Sequence, residues 1–181
     1  MSRIETLDYD SMSSEQKKIA DEIIASRGKV VGPFIPWLRN ADLADRSQKL
    51  GAYCRYETSL PPRLSELAIL ILARDWTIQM EWNAHKPIAL EAGTDPDLID
   101  AIAERKTPTF KNHDEEVIYN FSTELLQNKK VSDETYAATV EEFGEATLVD
   151  LVAILGYYSN VAMVLNTFEM LPANGAKPLA D

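Results

Sequence analysis

No segment of this chain alternates apolar and polar residues at period two, and that absence constrains the fold more than any other feature. The β-branched residues are scattered through segments of helical period, so a sheet has nothing to build from. The punctuation agrees with helices. Ser13 with Gln16 has the spacing of a capping box, and Ile19, Ile23 and Ile24 give the following helix an apolar face that ends at Arg27-Gly28. Residues 31–37 carry two prolines and a glycine, which predicts an irregular but apolar loop packed into the core, against a partner subunit or over a pocket. Residues 42–56 read as a helix with Leu43, Leu50 and Tyr53 on one side. Pro61-Pro62 opens a long helical stretch over about 63–92, closed by Gly93. Thr94-Asp95-Pro96 starts a short helix that runs to Arg105. Asn112 or Asp114 starts another to about Asn128, and Ser132 one that ends near Gly144. A strongly apolar helix over 146–171 stops at Pro172. The expectation is an all-α, single-domain bundle of six to eight helices spanning residues 1–181, large enough to bury a sizeable core.

Composition narrows the function classes. A net charge of -11 repels phosphate backbones and anionic lipid surfaces, so neither nucleic acid nor membrane is an expected partner. The apolar run Leu67 to Ala73 is far too short to span a bilayer, and the opening residues MSRIETLDYDSMSSEQ hold no apolar leader segment. Cys54 is the single cysteine. An intrachain disulfide, a C-x-x-C redox centre and a thiolate metal site are therefore excluded, and a reducing cytoplasm is the expected location. His85 and His113 are the only histidines, so no metal site and no cofactor are expected.

The chemistry-bearing constellation lies within 63–93. Glu81 and His85 stand at i and i+4, neighbours on one helix face with Cβ atoms about 5–6 Å apart. A carboxylate there favours the imidazolium and orients the ring, as general acid–base chemistry requires. An i,i+4 pair of this kind is also common on solvated helix faces. Glu66 sits fifteen residues earlier inside LSELAILILA, where a carboxylate is costly to bury unless paired. At 1.5 Å per residue a straight helix would hold it about 22 Å from Glu81. The three converge only if the helix breaks and folds back. Residues 74–77 are the expected break, with Asp75 or Thr77 capping the second half.

The spacing of Glu66, Ile78, Glu81 and His85 resembles the E-x11-C-x2-C-x3-H pattern of the carboxymuconolactone decarboxylase and alkylhydroperoxidase-D superfamily, with Ile78 and Glu81 in the cysteine positions. Arg63 to Leu70 is similar to that family's R-x-x-E-x-x-x-L run. Glu81-Trp82-x-x-His85 followed by Ala89 and Gly93 resembles its cysteine-less branch, and Phe143-Gly144 through Gly156-Tyr157-Tyr158 its C-terminal helix. The likeness covers residues 30–172. It implies an AhpD-like helical fold and a homo-oligomer, a trimer or hexamer. The peroxidase branch needs a thiolate and a resolving thiol, which Ile78 and Glu81 do not supply. The decarboxylase branch implies His85 as proton donor to a small carboxylated lactone or related acid, Glu81 orienting it and Glu66 tuning it. The alternatives are an alkylhydroperoxidase-like antioxidant protein without the usual cysteine pair, in which Cys54 would be the only thiol, and a non-catalytic oligomeric binding protein. For the latter, the 33–37 loop and Leu148, Leu151, Leu155, Tyr158 and Val161 suit a subunit interface, although core is the commoner fate of such residues.

Overall fold

A computed structural model describes residues 2–180. Eight α-helices follow one another among them, with no strand: α1 Ser14–Arg27, α2 Phe34–Trp37, α3 Ala41–Tyr56, α4 Pro62–Asp75, α5 Gln79–Glu91, α6 Pro96–Ala103, α7 His113–Asn128 and α8 Asp133–Thr167. The all-helical expectation holds.

The ends of the elements follow from local chemistry. Ser13 Oγ accepts from Gln16 N while Gln16 reaches back to Ser13 N, closing the capping box, and Gly28 at φ 80° ends α1. Asp95 caps α6 by accepting from Asp97 N, with Pro96 in its first turn. Gly144, at φ 78° and ψ 163°, breaks α8 into two parts where the sequence signals an end. The second part stops at Thr167, four residues short of the expected Leu171.

α4 is the centre of the molecule. Every residue from Leu64 to Arg74 is buried, because α5, α6, α7 and α8 all pack on it. α8 contributes Leu148, Leu151, Leu155, Tyr158 and Val161 to the same core, so these are core residues and not an interface. α8 is long and apolar enough by length and composition to cross a bilayer, yet 56% of its most apolar window is buried inside the protein. It is the core helix of the bundle.

The 31–37 segment packs into the protein's own core through Phe34, Pro36 and Trp37, one of its expected fates, but residues 34–37 form the short helix α2 and not an irregular loop. Leu43, Leu50 and Tyr53 share one side of α3, which faces outward, and its inward face is Ala44, Gln48, Gly51 and Cys54. Three of these four are small, and at Gly51 this lets α8 come close. A Cβ on Gly51 would stand 2.2 Å from the Tyr157 hydroxyl. The Ile24 side chain on α1 is likewise exposed, leaving Ile19, Ala20 and Ile23 as that helix's core contribution.

Candidate functional site

The turn between α4 and α5 creates the site. Thr77 N donates to Arg74 O and Ile78 N to Ala73 O, the paired bonds of a Schellman motif. Thr77 occupies the left-handed position of that motif at φ 54°, where glycine is usual. Arg105 Nη2 donates to both Thr77 Oγ1 and Arg74 O and so clamps the turn. The break falls where the sequence predicts it, but neither Asp75 nor Thr77 caps the second helix. Ile78 is the N-cap and offers no side-chain hydrogen bond. The chain reverses, and Glu66, nine residues before the end of α4, comes level with His85, six residues into α5.

His85 lies between two carboxylates. Its Nδ1 is 2.6 Å from Glu66 Oε2 and its Nε2 is 3.1 Å from Glu81 Oε2. Side-chain exposure is 3% for His85, 6% for Glu66 and 9% for Glu81, which makes Glu81 the outermost of the three. Burial pushes the imidazole toward neutrality, but the hydrogen bonds and charges of Glu66 and Glu81 outweigh it and hold its pKa up at about 9. At neutral pH the ring is therefore an imidazolium, hydrogen-bonded to Glu66 through Nδ1 and ion-paired with Glu81 at Nε2. All three sequence-predicted residues meet at this one buried point.

Aromatic rings wall the cluster. The Tyr158 ring stands edge-on to His85 at 5.2 Å, and Tyr157 stands edge-on to Tyr158 at 5.2 Å. Burial raises both phenols far above their ordinary pKa, and the negative charge of Glu81 adds to the effect, so both remain neutral. Neither tyrosine stands out as a site residue by spacing. Their signal was two adjacent hydroxyls in a long, strongly apolar helix. Trp82, between Glu81 and His85 in sequence, is buried in the core. The opposite side of α5 presents Met80, Asn83 and Ala84 to a cleft of about 810 Å³ shared with residues 169–175.

Cys54 is a separate matter. It is fully buried, and burial, with a contribution from Asp150, pushes its thiol up to about 11. Asp150 itself is held below the usual carboxylate range. Burial opposes this, but Ser59 N, Tyr53 Oη and Ser59 Oγ donate to it and prevail. His113 is exposed on α7, with Glu116 and Glu142 near it at 3.8 Å and 3.9 Å.

No family profile matches the chain, and no curated protein sequence does either. Solved structures do match. An uncharacterized peroxidase-related protein from Ralstonia eutropha JMP134, described as an alkylhydroperoxidase AhpD core, superimposes with a TM-score of 0.78 at 15% identity, covering 96% of this chain and 93% of that one. The fold is that of the AhpD core. An uncharacterized peroxidase-related protein from Silicibacter sp. TM1040 gives a TM-score of 0.77 at 13% identity, covering 98% of this chain and 95% of that one. At such identities the likeness speaks for the fold alone. In this AhpD-like frame, Ile78 is the buried N-cap of α5 and Glu81 is in its first turn.

Proposed function

We propose that this chain is a proton-transfer enzyme of the carboxymuconolactone decarboxylase type, acting on a small carboxylated lactone or related acid. The observation that carries the proposal is the buried His85 with a carboxylate at each ring nitrogen. A doubly supported imidazolium is a proton store that is full at neutral pH. Glu66 holds its inner nitrogen, and Glu81, the outermost member, is the group placed to hand a proton on. In the reaction the bond from carbon to the departing carboxylate breaks, carbon dioxide leaves, and the electron pair remains on the conjugated carbon skeleton. That carbon takes the proton passed from His85 through Glu81, and water restores it. The neutral tyrosines exclude bulk water from the cluster and keep the local dielectric low, which strengthens each of these interactions.

A peroxidase reading draws on the names of the structural neighbours. It needs a thiolate, and the single thiol is buried with its pKa raised. The discriminating experiment incubates the protein in deuterated water with carboxylated lactones, β-keto acids and vinylogous acids, following carbon dioxide release and deuterium uptake at carbon. A parallel arm supplies an organic hydroperoxide with a dithiol reductant. Decarboxylation with one deuterium incorporated supports the proposal. Peroxide turnover abolished by Cys54→Ser refutes it.

A further inference from the structure

Arginine is scarce in this acidic chain, and most of its arginines are tied to acceptors. Arg63 is bound by Asp114 and Glu115, Arg3 by Glu169 and the Thr167 carbonyl, and Arg39 by two backbone carbonyls. Arg27 and Arg55 are different. Both are half-buried, and neither makes an ion pair or a hydrogen bond among the described residues. The Nε of Arg27 is fully buried with no acceptor. A buried guanidinium donor without an acceptor costs free energy, and with 29 acidic residues in the chain acceptors are not in short supply.

Both guanidinium groups lie over one ring. The Arg27 Cζ is 6.0 Å and the Arg55 Cζ 5.5 Å from the centre of Tyr56. Arg27 also stacks at 4.9 Å on Phe34. From there rings run without interruption to the Glu–His cluster: Phe34 to Trp37 at 5.7 Å, Trp37 to Tyr157 at 6.2 Å, Tyr157 to Tyr158 and Tyr158 to His85 at 5.2 Å each. Arg55 arrives by a second route. It lies one turn beyond Gly51 on α3, and the absent side chain of Gly51 is the space the Tyr157 hydroxyl enters. Arg27, Arg55 and Glu81 all act electrostatically on that hydroxyl, the first two with positive and the third with negative charge.

We propose that Arg27 and Arg55 form an anion subsite for an organic carboxylate, placed across the Tyr157–Tyr158 wall from Glu81 and His85. This rests on the proton-transfer reading for its role in turnover, but the binding itself does not. Planar guanidinium groups held on aromatic faces suit bidentate recognition of carboxylate, and the apolar rings around them suit an unsaturated or cyclic carbon skeleton. The subsite also answers an electrostatic difficulty: one imidazolium between two carboxylates has net negative charge and repels an anionic substrate unless cations stand nearby.

The test is binding by calorimetry and saturation-transfer NMR, with benzoate and sorbate as probes and benzamide and sorbamide as neutral controls. Wild-type protein is expected to bind the acids and not the amides. Arg27→Gln with Arg55→Gln is expected to weaken acid binding at least tenfold. The single Arg55→Gln variant, altered at a side chain with no hydrogen bond to lose, is expected to weaken it in the same direction should the double variant fold poorly. His85→Gln is expected to retain binding of the acids, which separates this proposal from the catalytic one. Equal binding of acids and amides, or unchanged acid affinity in a folded Arg55→Gln variant, overturns it. So does a change in oligomeric mass without a change in acid affinity, since the two arginines would then face a second copy of the chain.

Discussion

The imidazolium of His85 ties stability to pH in a direction that can be computed and tested. Its folded pKa is about 9, against an ordinary value of about 6.5 for an unfolded histidine. The folded state thus holds its proton more tightly, and the associated stabilisation is complete below about pH 6.5. As pH rises, the unfolded chain gives up the proton first. The stabilisation declines across the window and is gone once the folded pKa of about 9 is passed. The difference corresponds to roughly 3 kcal/mol, a large share of a typical domain's stability. Glu66→Gln is the informative perturbation. Gln keeps the shape and can still accept from Nδ1, but it removes the negative charge that supports the imidazolium at 2.6 Å. Urea unfolding at pH 6, 7, 8 and 9 measures both proteins with the same set of other titrating groups, so these cancel in the difference. Wild type is expected to lose stability steeply from pH 7 to 9, and the variant much less. Equal slopes, or a His85 ring resonance titrating near pH 6.5 in the wild type, would refute the reasoning.

Two further outcomes are expected. Gly51→Ala places a methyl 2.2 Å from the Tyr157 hydroxyl, so Tyr157 must move; a loss of about 1–3 kcal/mol in denaturant unfolding is expected, and an unchanged midpoint would refute a tight α3–α8 contact. Leu50 and Tyr53 on α3 and Val149 and Val152 on α8 are exposed, and Tyr53 joins the two helices through Asp150; we propose this patch, which leaves Tyr56 free, as the interface of the trimer or hexamer that the resemblance implies. Light scattering should give a mass that is a multiple of 20.3 kDa and falls with Leu50→Glu; a wild-type mass of one chain contradicts it.

Much of this architecture was legible because its signals are local. The capping box at Ser13, glycine at 28, 93 and 144, and the proline at 96 each act within a turn of their own position, and each element boundary they mark is present. The α4–α5 break was legible for a different reason: Glu66 can be stabilised in so apolar a helix only by a partner, and His85 reaches it only if the helix reverses. What stayed hidden depends on tertiary context. The stripe of Leu43, Leu50 and Tyr53 has the look of a buried face, yet α8 approaches the small-residue side of α3, guided by Gly51. The reversal at Thr77 uses a residue that local preference argues against, held by Arg105 from 28 residues away. The approach of Tyr158 to His85 joins α8 to α5, and the sharing of the Tyr56 ring by Arg27 and Arg55 joins α1 to α3; no spacing rule reports either.

The central claim is that His85 moves the proton, and one comparison tests it most directly: turnover by wild type and by His85→Gln on the acid identified in the deuterium-uptake screen, with circular dichroism confirming that both are helical. A positioned acid–base group contributes about 10²–10⁴-fold to rate, so the variant is expected to fall by roughly that factor while its spectrum is unchanged. Wild-type turnover by a folded His85→Gln protein would contradict the account.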